Sequence, residues 1–276
     1  MCLENDGYHR LLTSMEFSKY LRTIIIDEAH CITQWGDKFR DEYSKLGTLR
    51  SFVPTTVPFL VTSATLTLSD LVEIRKSIHL NQSETFRLNL GNDRPNITWK
   101  VHHMQGARSD MQALRFILPE SPTQLKMDQM IIYFNNILLS MEACQWFCEQ
   151  LPEHLHTRVA CYNARRGDLS KDDTLYRFCH GELDILFASE AAGMVLILYW
   201  VHCNLTEHAC WQGCDIPNVK IVVQFMVPKS LSVWLQRAGR AGRAHGSQAT
   251  AYLLVQPSVF QEKGKLNVYL EMMCNM

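Results

Sequence analysis

Apolar positions gather into short continuous runs separated by polar, helix-favouring stretches. Seven runs are rich in β-branched residues: TIIID (23–27), PFLVTSA (58–64), QMIIYFN (129–135), TRVACY (157–162), LDILFA (183–188), KIVVQF (220–225) and ATAYLLV (249–255). Unbroken runs of this kind are what strands covered on both faces look like. Helical stretches fall between them near 69–79, 139–151, 170–180 and 230–238. The alternation predicts an α/β fold of parallel sheets with helices on both faces. GNDRPN (91–96), dense in turn formers, divides the chain into a first domain, 1–92, and a second, 93–260, with 261–276 as a tail.

Composition narrows this little. Of 276 residues 47% are hydrophobic and 20% charged, as in a soluble globular chain with material for real cores, and no membrane partner is expected. A formal net charge of −1 neither requires nor excludes a nucleic-acid partner, because a local groove can sit on a neutral protein. The ten cysteines are scattered rather than spaced as a disulfide framework and no secretory signal is visible, so they read as reduced intracellular thiols. The apolar stretch ILFASEAAGMVLILYWV (185–201) is interrupted by Glu190 and short of a membrane span.

The strongest local signal is IIIDEAHC (24–31). A buried strand ending in two carboxylates sets both at the carboxyl edge of a parallel sheet, where ligands of open α/β sheets bind. There Asp27 can hold Mg²⁺ against nucleotide phosphates, Glu28 can position and deprotonate an attacking water, and His30 would sense the γ-phosphate. The plainer alternative is a strand end with solvated acids. VTSAT (61–65) follows another strand, and its Ser63 and Thr65 hydroxyls could couple the nucleotide site to the second domain. In QRAGRAGR (236–243), Gln236 is expected at a helix end, with Arg240 and Arg243 projecting from a glycine-punctuated turn. Planar guanidinium groups suit the spread charge of a transferring phosphoryl group. The alternative is a basic helix end complementing its dipole.

These three strings, in this order, resemble a superfamily 2 helicase. CITQWGDKFRDEY (31–43), directly after the DEAH string, is similar to the aromatic-rich loop of RecQ helicases, and DRPN (93–96) resembles that family's entry to its second domain. IIYFN (131–135), CYNAR (161–165) and GCDIPNVKIVVQF (213–225) add to the likeness, which runs from about residue 8 to 256. The family usually has His-Asp where this chain has Asp37-Lys38. The resemblance implies two RecA-like lobes, the first incomplete, with ATP and Mg²⁺ between them and 3′-to-5′ movement along single-stranded or forked DNA. It further implies a nuclear protein of DNA recombination and repair. Trp35 and Phe39 would lie near the DNA path, where base stacking contributes ~1–3 kcal/mol per base, and Arg40 would pair with a phosphate. The alternative for Trp35 and Phe39 is core packing.

Two departures from a working motor stand out. No glycine opens the pattern GxxxxGK[ST], the loop whose amides and lysine cradle phosphates, and the one Gly-Lys pair (264–265) is followed by Leu266. The chain is therefore expected to begin inside the first lobe, to expose unpaired strand edges and to be inactive as an ATPase. Second, family-like sequence stops at Met194 and resumes at Gly213; the joined pieces resemble the family's nucleotide loop, in which Gly213 and Asp215 would contact ATP. The intervening VLILYWVHCNLTEHACWQ (195–212) has no helical or strand period. Its whole-codon length, beginning with Val (GTN) and ending with Gln (CAG), reads as a retained intron. Its His202, Cys203, His208 and Cys210, with Cys214, fit no common zinc-finger spacing, and no zinc is expected.

Overall fold

The computed structural model describes residues 5–35, 45–81, 83–106, 110–121, 123–189 and 218–261. The chain separates into two compact units, Met1–Asn92 and Asp93–Met276.

In the first unit β1 (Ile24–Ile26) pairs in parallel with β2 (Phe59–Val61), Ile25 opposite Leu60. Ile24, Ile26, Phe59 and Val61 pack with Ile74 and Ile78, the inner side of α3 (Leu68–Ser77) and the residue that caps it. Helices α1 (Asp6–Thr13) and α2 (Cys31–Trp35) flank this sheet in sequence. Asn5 caps α1 by accepting from the amides of Gly7 and Tyr8, and Thr67 and Asp70 close a reciprocal capping box on α3.

The expectation of strands covered on both faces fails here. Ile25 and Leu60, paired in register, are 61% and 51% exposed, because among the described residues the helix Leu68–Ser77 packs on the opposite face. Phe86, Leu88 and Leu90 are also exposed, at the alternate spacing of a strand, though no strand forms there. Residues 1–92 expressed alone are thus expected to self-associate, with sedimentation above the monomer mass as the readout. A monomeric, cooperatively melting preparation would count against it.

The second unit is a six-stranded, wholly parallel sheet in the order β3-β8-β7-β4-β6-β5. Its strands are β3 (Ile97–His103), β4 (Met130–Phe134), β5 (Val159–Tyr162), β6 (Ile185–Ala188), β7 (Ile221–Phe225) and β8 (Ala249–Val255). Every residue of β4 and β6 is buried, so the continuous apolar runs do mark doubly covered strands at the sheet's centre. Side chains alternate between two cores. Met130, Ile132 and Phe134 join Phe147 of α4 (Ile137–Gln150) on one face. Ile131 and Tyr133 meet Phe178 of α5 (Asp168–Cys179) and Trp234 of α6 (Leu231–Ala238) on the other. Phe134 stacks on Phe225 and Phe187 of the neighbouring strands, ring centroids 5.0 and 6.0 Å apart, tying the middle of the sheet together. Strand β3 was not foreseen. Its ITWKVHH sequence interleaves Lys100, His102 and His103 with apolar residues, which an edge strand tolerates and a search for unbroken apolar runs passes over.

Candidate nucleotide-handling motifs

In the first unit the DEAH string leaves β1 through a left-handed turn. Glu28 has φ +52°, a conformation that costs a residue with a Cβ about 1–3 kcal/mol and must be held by its surroundings. The hold comes from Asp27, whose Oδ1 accepts from the Glu28 amide at 2.9 Å and from the Thr62 hydroxyl at 2.5 Å. The backbone adds Ala29 N to Thr62 O and Thr62 N to Ile26 O. Asp27 is exposed, and its other oxygen, Oδ2, has no partner among the described residues, so the carboxylate is oriented yet open to a cation.

His30 is buried, and its Nδ1 lies 3.0 Å from the Ser63 hydroxyl and 3.1 Å from Glu28 Oε2. The Glu28 contact lacks hydrogen-bond alignment, so Oε2 is buried against His30 with no hydrogen-bond donor among the described residues. The DEAH string and the Ser63 hydroxyl therefore meet. Thr65 is buried. Asp70 also belongs here. Burial pushes its carboxyl up, but hydrogen bonds from Thr67 and Thr33 and the charge of His30 outweigh this and hold it below the usual value. The stability it contributes is present at neutral pH and lost only as pH falls through that lowered value.

In the second unit Gln236 lies in the last turn of α6, and Gly239 and Gly242 shape the loop that follows. Arg243 is exposed, its Nε 3.3 Å from Gly239 O. Arg240 does not project as expected. It is buried, close enough to Tyr133 for its charge to be felt there. Burial pushes the Tyr133 phenol up, opposed by the charges of Arg240, Arg237 and Arg243.

Three residues that hold the arginine string in place were not singled out in the sequence reading. Arg237 is buried and donates from Nη1 to Gln224 Oε1 (2.6 Å) and Asn135 Oδ1 (3.1 Å), with its guanidinium 5.3 Å from the Tyr133 ring centre. Its spacing three residues after Trp234 on a helix was the available signal. Arg94 and Asn96 clamp the arginine loop. Arg94 Nη2 donates to Gly242 O at 3.1 Å, and Asn96 Nδ2 to Gly242 O at 2.7 Å and Ser247 O at 3.0 Å. DRPN is thus more than a domain entry: it fixes QRAGRAGR from about 150 residues away.

Several predicted positions lie outside the described residues: Phe39, Arg40, Asp37, Lys38, Gly213, Asp215 and the whole 195–212 segment with its His and Cys residues. Trp35 ends α2, and its side chain is likewise outside them. Among the described residues no group of three or more His, Cys, Asp or Glu side chains could hold a metal ion, and no helix is long and apolar enough to cross a membrane.

Two family models match this chain of parallel α/β units. The DEAD/DEAH box helicase family model matches residues 7–74, and the helicase conserved C-terminal domain model matches residues 110–245. The chain therefore carries both helicase domains, and its sequence relatives are DNA helicases of the RecQ family. It is 29% identical over 261 residues to the ATP-dependent DNA helicase Q1 of Caenorhabditis briggsae, covering 93% of this chain and 38% of that one. To ATP-dependent DNA helicase RecQ of Bacillus subtilis it is 29% identical over 251 residues, covering 89% and 37%. To the RecQ-like helicase BLM of Xenopus laevis it is 26% identical over 238 residues, covering 85% and 15%. The chain thus spans well under half the length of these relatives. Among solved structures, S. cerevisiae Dbp5 bound to RNA and ADP BeF3 aligns with TM-score 0.62 at 16% identity, over 90% of this chain and 57% of that one. The helicase MrfA bound to DNA and AMPPNP aligns with TM-score 0.64 at 13% identity, over 97% and 36%. At such identities these establish the RecA-like fold alone.

Proposed function

We propose that this chain is the ATP-handling part of a 3′-to-5′ DNA helicase of the RecQ type, acting on single-stranded or forked DNA in recombination and repair in the nucleus. The observation that carries the reading is the turn at Glu28, where an oriented carboxylate stands beside a buried carboxylate oxygen that has no hydrogen-bond donor among the described residues. In this reading Asp27 holds Mg²⁺, whose charge would offset that of the nucleotide phosphates. Glu28 positions and deprotonates the attacking water, with its Oε2 taking the proton. His30, held by Ser63, reports the phosphate's presence, and Ser63 and Thr65 pass that state to the second lobe. Gln236, Arg240 and Arg243 face the transferring phosphoryl group, with Gly213 and Asp215 on the nucleoside. Trp35, Phe39 and Arg40 track the DNA.

The given sequence supplies the water-activating and charge-stabilising parts without a GxxxxGK[ST] loop. This polypeptide is therefore expected to hydrolyse no ATP above background, with or without single-stranded DNA. DNA-stimulated hydrolysis abolished by Glu28→Gln would overturn that expectation. Joined to a half-lobe carrying the phosphate loop, the chain is expected to gain DNA-stimulated ATPase activity, lowered ~10³-fold or more by Arg240→Ala. DNA binding without turnover in the joined protein would instead favour a non-catalytic binding role.

A further inference from the structure

Three aromatic rings and a lysine meet at the border of the second unit's sheet, on the face turned away from α6. Strand β3 is the edge strand, and its side chains divide between the two faces by alternation. Trp99 and Val101 join the core that holds Trp234 of α6, the two tryptophan rings 5.7 Å apart between centres. Lys100 and His102 take the other face, where Lys100 lies in register with Tyr252 of β8. Phe116 reaches them from the 3₁₀ helix Met111–Ile117. Its ring centre stands 4.7 Å from that of His102 and 4.7 Å from that of Tyr252, and the His102 and Tyr252 centres are 5.1 Å apart. All three contacts are edge-on or tilted. The Lys100 ammonium lies over the Tyr252 ring, 5.3 Å from its centre.

Core packing does not call for Phe116. A 3₁₀ helix repeats every three residues, and Met111, Leu114 and Ile117 form its buried stripe. Phe116 falls beside that stripe and stays 38% exposed. A lone exposed phenylalanine is ordinary. This one is held by two further rings, which fix it in place while more than a third of it remains in water. Lys100 and Arg115, the residue before Phe116, are both exposed, and neither pairs with a carboxylate among the described residues. A fixed, wet ring is therefore bordered by two cations whose charge the unit does not neutralise.

We propose that Phe116, with Lys100 and Arg115, is a second contact for single-stranded nucleic acid, one base stacking on Phe116 while adjoining phosphates meet the two cations. Every base has a π face and every strand the same backbone charge, so such a surface grips without reading sequence. His102 and Tyr252 serve as the frame that holds the stacking ring ready. An acidic peptide would satisfy the cations but leave the ring without a planar partner. The class of polymer rests on the function proposed above. The surface itself does not, because it shares no residue with Trp35, Phe39, Arg40 or the arginine string and lies across the sheet from α6. It adds affinity for the strand and leaves the nucleotide-handling residues untouched.

The test measures binding of the full chain to a fluorescein-labelled oligothymidylate by anisotropy over a range of salt. Phe116→Leu keeps apolar bulk but has no ring, and is expected to weaken binding about tenfold. Lys100→Gln is expected to lower the slope of log affinity against log salt by about 0.7, the share of one phosphate contact on a single strand. Cooperative melting confirms that both variants fold. With 5-iodouracil in place of thymine, irradiation is expected to cross-link the strand to the tryptic peptide Phe116–Lys126. Wild-type binding in either variant, or cross-links confined to residues 31–43, would overturn the second contact and leave the DNA path through Trp35, Phe39 and Arg40 standing. A cross-link on Phe116–Lys126 with none in 31–43 would support the second contact and overturn that path. No binding at all would overturn both. Equal affinity for polyglutamate, weakened equally by Phe116→Leu, would overturn nucleic acid as the occupant.

Discussion

Asp184→Ala is expected to destabilise the second unit by about 3–5 kcal/mol, the cost of breaking a buried charge pair by removing one partner. The thermal midpoint should fall on the order of 10 °C for a unit of this size. Asp184 is fully buried where the chain enters β6. Its Oδ2 accepts from Arg158 Nε at 2.6 Å and from the Met127 amide at 2.9 Å, and its Oδ1 from Arg158 Nη2 at 2.8 Å. The backbone repeats the connection, Asp184 N donating to Arg158 O and Met130 N to Asp184 O. One residue therefore sets the starting register of β4, β5 and β6. Alanine removes three charge-assisted hydrogen bonds and orphans the Met127 amide. Arg158 is the lesser part of the loss, since it is partly exposed and keeps its bond to Gly181 O. Asp184→Asn retains the shape and should lose roughly half as much. The hydrogen bonds to Asp184 raise the Arg158 pKa, so on the alkaline side this contribution is lost as pH rises through that raised value. A midpoint within ~2 °C of wild type would show that the register is set elsewhere.

That residue illustrates what the sequence makes legible. Strands β4, β6 and β7 were readable because burial on both faces demands unbroken apolar runs, which leave a local mark. Strand β3 carries no such mark, since an edge strand with Lys100 and His102 on its exposed side looks like loop. The Asp27-Glu28 pair and the arginine string could be found because their chemistry is packed into a few consecutive residues. Asp184 acts on partners far along the chain, and nothing within a short window distinguishes it from a surface polar residue; Arg94 and Asn96 lie in the DRPN string, but their hold on Gly242 could not be read from it. Arg237 falls between these cases. It lies inside a string already singled out, but its role as the buried strut under Tyr133 follows from helix phase rather than from the motif. The exposure of Ile25 and Leu60 could not be read from their run either, because an apolar run does not say how many faces are covered.

The glycines of the arginine loop allow the clamp to be isolated from ordinary backbone strain. Gly242 has φ +60°, and a Cβ there would stand 2.6 Å from Asn96 Nδ2 and 3.1 Å from the Ala249 methyl. Gly181 has a similar φ of +71°, but its Cβ would meet only the flexible tip of Lys126 at 3.6 Å. Both alanine variants incur the left-handed penalty, ~1–2 kcal/mol. Gly242→Ala must also displace the Asn96 amide, which cannot yield without leaving Gly242 O, Ser247 O or both. Each hydrogen bond lost there costs ~1 kcal/mol net, more if the carbonyl stays dry. Gly242→Ala is therefore expected to cost about 2 kcal/mol more than Gly181→Ala, read from denaturation midpoints in urea at equal slope. Asn96→Ala should close most of that gap when combined with Gly242→Ala, because the alanine methyl then has room. Equal losses for the two glycines would mean that the Asn96 contact is not what holds the arginine loop. A gap that persists in the double variant would assign the clash to Ala249 and leave Arg94 as the sole side-chain tie on Gly242 O.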